Sequence, residues 1–201
     1  MKVKHGAFDR QLAASLNQMT VTLRAASLPM RWIHCGLTAD LFASYYAAEL
    51  ADEGKDDQRL SQEEISSNIR YAMNELIENA VKFHVPGDIV IRSKIVYTFI
   101  TFLISHATSV EAAHSFDVHL RGLTAGDAAE LMRQRVEVSA LMNDNSSGIG
   151  FLTLMSDYGA VLGWNLETID ETRVQVDTML RLSLQKNEDL LVDSVGFTRR
   201  R

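Results

Sequence analysis

The stretch NELIENAVKFH, Asn74 to His84, decides how the rest of the chain is read. Leu76, Ala80 and Phe83 recur at helical spacing, and Ile65, Ile69 and Met73 extend the same apolar face upstream. Ser61 with Glu64 three residues on has the form of a capping box, so the predicted helix opens at Ser61 and ends near His84. At about 100° per residue, Glu75, Asn79 and Lys82 fall within about 60° of one another, on a face roughly 100° from the apolar one. An ordinary solvated polar face accounts for such a row by itself.

Outward from this helix the pattern changes period. VPGD (Val85–Asp88) marks a turn, and DIVIRSKIV and YTFITFLISHA read as two consecutive strands, an antiparallel pair. Upstream, Gln18 to Leu23 reads as a short strand. Thr38 reads as the N-cap of a helix from about Ala39 to Ala51, with Leu41, Phe42, Tyr45 and Leu50 apolar. DEGKDDQR is a charged loop. Downstream, a helix is predicted from about Thr124 to Met142, then the polar loop NDNSSGIG and a short helix in IGFLTLMSDYG closed by Gly159. Two strands follow in AVLGWNLETI and TRVQVDTMLRLSL, then a tail with room for a short strand. The order predicts an α+β two-layer sandwich, a mostly antiparallel sheet with helices on one face. With two prolines and neither linker nor repeat, residues 1–201 read as a single domain.

Composition narrows the function classes. Of 201 residues, 46% are apolar and 23% charged, the balance of a soluble globular protein. A net charge of -6 argues against a nucleic-acid surface. FITFLI, Phe99 to Ile104, is too short to span a bilayer, and the N-terminus lacks the apolar core of a secretory signal, so no membrane role is expected. Cys35 is the only cysteine, compatible with the cytoplasm. The six histidines are scattered and read as structural or exposed. Trp32 and Trp164 read as core or interface anchors.

Chemically, the α-helical row offers a neutral oxygen on Asn79, suited to one position on Mg²⁺, an ion that keeps most of its waters. Glu75 is placed to polarise a hydroxyl. Lys82 is placed to offset phosphate charge. In SSGIGFLTLMSDYG, Gly148 and Gly150 precede or open a helix, where backbone can approach phosphate closely. A glycine pair also marks ordinary loops.

Together and in this order, NELIENAVKFH and SGIGFLTLMSDYGAVLGW resemble the N-box and the second glycine box of the histidine-kinase-like (GHKL) ATPase superfamily. The likeness covers roughly Leu41 to Leu184. The segment from Arg31 to Tyr46 is similar to a bacterial regulator branch related to SiaB-like and anti-sigma-factor serine kinases. The resemblance implies ATP and Mg²⁺ as cofactors. It implies Asn79 as the metal ligand, Glu75 as the catalytic base, and Lys82, Gly148 and Gly150 at the phosphates. It further implies a cytoplasmic signalling protein, a serine/threonine kinase acting on a small anti-sigma-antagonist-like (STAS or SiaC-like) partner in a partner-switching pathway. Phe42, Tyr45 and Tyr46 on the first helix, or a sheet edge, offer a surface for a homodimer.

One departure keeps an alternative open. The superfamily's first glycine box reads adenine through an aspartate, but the corresponding segment here, SHATSVEAAH (Ser105–His114), has neither aspartate nor glycine. His106, Thr108 and Ser109 are the groups available to a base. The alternative is a non-catalytic partner-binding module of the same fold with a degenerate nucleotide site.

Overall fold

The two β-rich runs after the VPGD turn pair as predicted. In the computed structural model, which describes residues 1–24, 32–51, 59–134 and 149–186, they lie in one antiparallel sheet with four other strands. The strands are β1 (Lys2–Gly6), β2 (Met19–Arg24), β3 (Asp88–Val96), β4 (Phe99–Ser109), β5 (Val161–Thr168) and β6 (Arg173–Ser183). Their order across the sheet is β1-β5-β6-β4-β3-β2. The helices are α1 (Arg10–Ser15), α2 (Trp32–Ala51), α3 (Gln62–Phe83), α4 (Val110–Leu123), α5 (helical residues 128–134) and α6 (Ile149–Ser156). This is the two-layer α+β sandwich that the sequence predicts.

Strand alternation sorts the side chains between layers. Ile100, Phe102 and Ile104 of β4 and Val176, Leu180 and Leu182 of β6 join the core beneath the helices, together with Ile69, Met73, Leu76 and Ala80 of α3. Leu103 and Met179 turn to the opposite face, where Ala13 and Leu16 in and after the short α1 cover them. Trp164 is fully buried and meets Phe151 of α6 edge-on at 5.3 Å, as an aromatic pair prefers. Both halves of the Ser61 capping box form, satisfying two N-terminal groups of α3. Gly159 closes α6 at φ +58, a left-handed value that glycine adopts freely. Among the described residues no helix is long and apolar enough to cross a membrane.

Three readings are corrected. Thr38 is not an N-cap: α2 begins at Trp32, and Thr38 Oγ1 donates inside it to the His34 carbonyl at 2.7 Å. Phe42 and Tyr46 are not available to a second copy. Both are buried against Phe102, and the Tyr46 hydroxyl donates to Ser93 Oγ at 2.8 Å. Among the described side chains of α2, the exposed large apolar ones are instead Ile33, Leu37, Leu41 and Tyr45. Thr124 does not start a helix but caps the end of α4, and helical residues resume at 128. Residues 135–142, the rest of that predicted helix, lie outside the described ones, as do the DEGKDD part of the charged loop and the tail beyond 186. The N-terminus supplies an edge strand, β1, which pairs with β5.

Candidate functional site

A cavity of about 730 Å³ opens between α3, α4 and the start of α6, with β4 and β6 as its floor. That volume lies in the range of small-molecule sites, about 300–1,000 Å³. α3 contributes Glu75, Glu78, Asn79 and Lys82, α6 contributes Ile149, Gly150 and Phe151, and the sheet contributes Ile104, His106, Thr108, Val176 and Thr178. The structure therefore brings Glu75, Asn79, Lys82 and Gly150 to one site. Gly148 lies outside the described residues.

The joint between α3 and α6 is made by fitted side chains. Tyr71, one turn before Glu75, stacks on Tyr158 with centroids 4.8 Å apart and rings 9° from parallel. At Gly150 an added Cβ would lie 2.0 Å from Glu75 Oε2, so the carboxylate packs directly on the glycine. Gly150 sits in the first turn of α6, where N–H groups lack partners within the helix and the dipole favours an anion. Burial nonetheless raises the Glu75 pKa, and the neighbouring Glu78 charge adds to the rise. A carboxyl held in this way takes up a proton more readily than an ordinary glutamate.

Asn79 Nδ2 donates to the Glu75 carbonyl at 2.8 Å. Only the NH₂ end of the amide can face a carbonyl favourably, which fixes Oδ1 as the end left for an occupant. Lys82 Nζ lies 5.2 Å from the centroid of the Phe83 ring. Phe83, predicted on the apolar face, is 44% exposed and lines the cavity instead. The end of α3 is tied to the sheet: Thr108 Oγ1 donates to the Phe83 carbonyl at 2.6 Å, and the Val85 N–H donates to the Ala107 carbonyl at 2.9 Å.

The lining fits a magnesium-bound triphosphate on its helical side. Asn79 offers a neutral oxygen and Lys82 one positive charge, while the space beside Gly150 at the start of α6 is taken by the Glu75 carboxylate. Three carboxylates, Glu75, Glu78 and Glu111, also line the cavity, so a bare polyanion would be repelled and a cation must accompany it. Among the described residues no cluster of three His, Cys, Asp or Glu side chains is placed to hold a metal ion. One protein oxygen can suffice for a Mg²⁺ ion that keeps most of its waters and bridges phosphates.

At the sheet the fit differs. β4 runs unbroken through Ser109 into α4, with no glycine turn between them. Ser109 Oγ caps α4 by accepting from the Ala112 N–H at 3.1 Å, and Thr108 is already bonded to α3. His106 is 7% exposed, and burial pushes its pKa down to about 4, with the His84 charge a second cause, so the ring is neutral near pH 7. Sequence reading did not find the α4 residues Glu111, Phe116 and His119 or the β6 residue Thr178, because the start of α4 and the β4–β6 register were not apparent. A signal was present for His106 and Thr108. They occupy the same alternate positions of β4 as the buried Ile100, Phe102 and Ile104, so a polar residue there must face the helices.

No protein-family model matches this sequence, and no curated protein matches it.

Proposed function

We propose that this cavity binds ATP with Mg²⁺ and transfers a phosphoryl group to a serine or threonine hydroxyl of a partner protein. The observation that carries the reading is the packing of Glu75 of α3 on Gly150 of α6. It joins, in one cavity, the two segments that resemble the N-box and second glycine box of histidine-kinase-like ATPases. Asn79 Oδ1 takes one position on the metal. Lys82 and the first-turn N–H groups of α6 hold phosphate oxygens. Glu75 accepts the proton of the attacking hydroxyl, a task that its raised pKa favours. When bound, Mg²⁺ neutralises charge on the phosphates and orients them for transfer. The partner that fits the resemblance is a small STAS- or SiaC-like protein, and the setting is cytoplasmic signalling.

The uninterrupted passage from β4 into α4 favours a second reading, a partner-binding module that no longer takes nucleotide. Calorimetry with ATP and ADP, with and without Mg²⁺, decides between them. The kinase reading expects micromolar, Mg²⁺-dependent binding that Asn79→Ala removes. It also expects Glu75→Ala to bind nucleotide normally and to lose transfer to the partner. Absence of binding at millimolar nucleotide would leave the second reading.

A further inference from the structure

We propose that His106 reads the base of the bound nucleoside triphosphate, through the imidazole edge that meets the cavity. The inference rests on the nucleotide reading above and adds to it the group that selects the heterocycle.

His106 is 93% buried (7% exposed) and lines the cavity floor between Ile104 and Thr108. Its Nδ1 is shut off from solvent without a hydrogen-bond partner, and no hydrogen bond among the described residues reaches Nε2. Nε2 is not shut off in this way, so it is the ring nitrogen that an occupant of the cavity reaches. Because buried polar groups in folded proteins are nearly always bonded, a ring this deeply placed with no protein partner points to an occupant. The adjacent hydroxyls do not meet that need, because Thr108 is bonded to the Phe83 carbonyl and Ser109 caps α4.

The surroundings suit a flat heterocycle. Leu76, Val176 and Phe116 line the same cavity as His106 and offer apolar surface to the faces of a ring. Through Nε2 a neutral imidazole presents either an N–H donor or a lone pair, according to tautomer, and a purine edge offers ring-nitrogen acceptors beside an exocyclic amine or carbonyl, so either tautomer finds a match. Burial keeps the imidazole uncharged, so it adds no positive charge that would draw the triphosphate onto the sheet. The polar row of α3 is left for the phosphates.

The test uses the whole chain and two probes with Mg²⁺, ATP and inorganic triphosphate, measured by calorimetry on wild type, His106→Phe and His106→Gln. The wild type should prefer ATP. His106→Phe should lose about tenfold to a hundredfold in ATP affinity, the range for an unmet buried hydrogen bond, while triphosphate affinity stays unchanged. His106→Gln should recover part of the loss. In ¹⁵N spectra of the wild type, ATP should move the His106 ring nitrogens and triphosphate should leave them in place, a readout that stands even if His106→Phe does not fold. ATP binding by a folded His106→Phe at wild-type strength, or ring signals unmoved by saturating ATP, overturns the proposal and leaves the nucleotide reading intact. A wild type that binds neither probe overturns both.

Discussion

The helical wall of the cavity and its sheet floor are both polar, but for different physical reasons. On α3 Asn74, Glu75, Glu78 and Asn79 are half-buried and Lys82 is exposed, and the amides settle much of their hydrogen bonding within the helix: Asn79 bonds the Glu75 carbonyl, and Asn74 Nδ2 donates to Glu78 Oε1 at 2.6 Å. Polarity there is inexpensive, and many helices carry it. On the floor, His106 and Thr178 are buried on a face otherwise filled by Ile100, Phe102, Ile104 and Leu180. A polar group in that setting costs free energy unless something bonds it. The helical row carries polarity that a helix accommodates by itself, whereas the floor histidine, with Nδ1 shut off and unbonded, is the costlier polar group.

The contrast can be broken first where the two walls join. Phe151 packs edge-on against Trp164 of the sheet and lines the cavity beside Gly150. Phe151→Ala should cost about 3–5 kcal/mol, as other buried phenylalanine truncations do, read as a lower midpoint in urea. A loss below about 1 kcal/mol would mean that α6 does not need the sheet to hold its place.

A smaller effect separates the floor by pH. The folded pKa of His106 is depressed from 6.5 to about 4, so its contribution is fully present above pH 6.5 and is lost as pH falls toward 4. At about 1.4 kcal/mol per unit, the difference in acid sensitivity between wild type and His106→Gln is roughly 3 kcal/mol. Urea melts at pH 7 and pH 4 should show the wild type losing more stability than the variant. Equal losses would mean that the ring gains its proton without penalty and is not shut off from water.

The smallest stability effect belongs to the helical wall. At Gly150 the atoms nearest to an added methyl all belong to the flexible end of Glu75. Gly150→Ala should therefore change stability by less than about 1 kcal/mol, because the gain in helix propensity offsets the displacement. On the proposed kinase reading, phosphoryl transfer should nonetheless fall as in Glu75→Ala. In a Glu75→Ala background the nearest obstacle is removed and the same substitution should stabilise by up to about 1 kcal/mol. A clear loss of stability in that background would show that the glycine serves something other than the carboxylate.

What could be read from the sequence was what neighbouring residues specify among themselves. Ser61 and Glu64 cap α3 because their partners are three residues away, and Glu75, Asn79 and Lys82 align because the helix repeats every 3.6 residues. The β3–β4 pairing followed from two β-rich runs in direct succession, and the stop after α6 from Gly159. α4 was missed because Ser109, its cap, continues the β-rich run of β4 without a break. β1 was missed because a five-residue strand is fixed by its pairing with β5, from Lys2 opposite Glu167 to Gly6 opposite Gly163, and little in its own sequence marks it. Tertiary structure alone decided that Glu75 would rest on Gly150, that Phe42 and Tyr46 would be core, and that His106 would be left without a partner. Each depends on which distant chain segment covers the residue, and local periodicity carries no record of that.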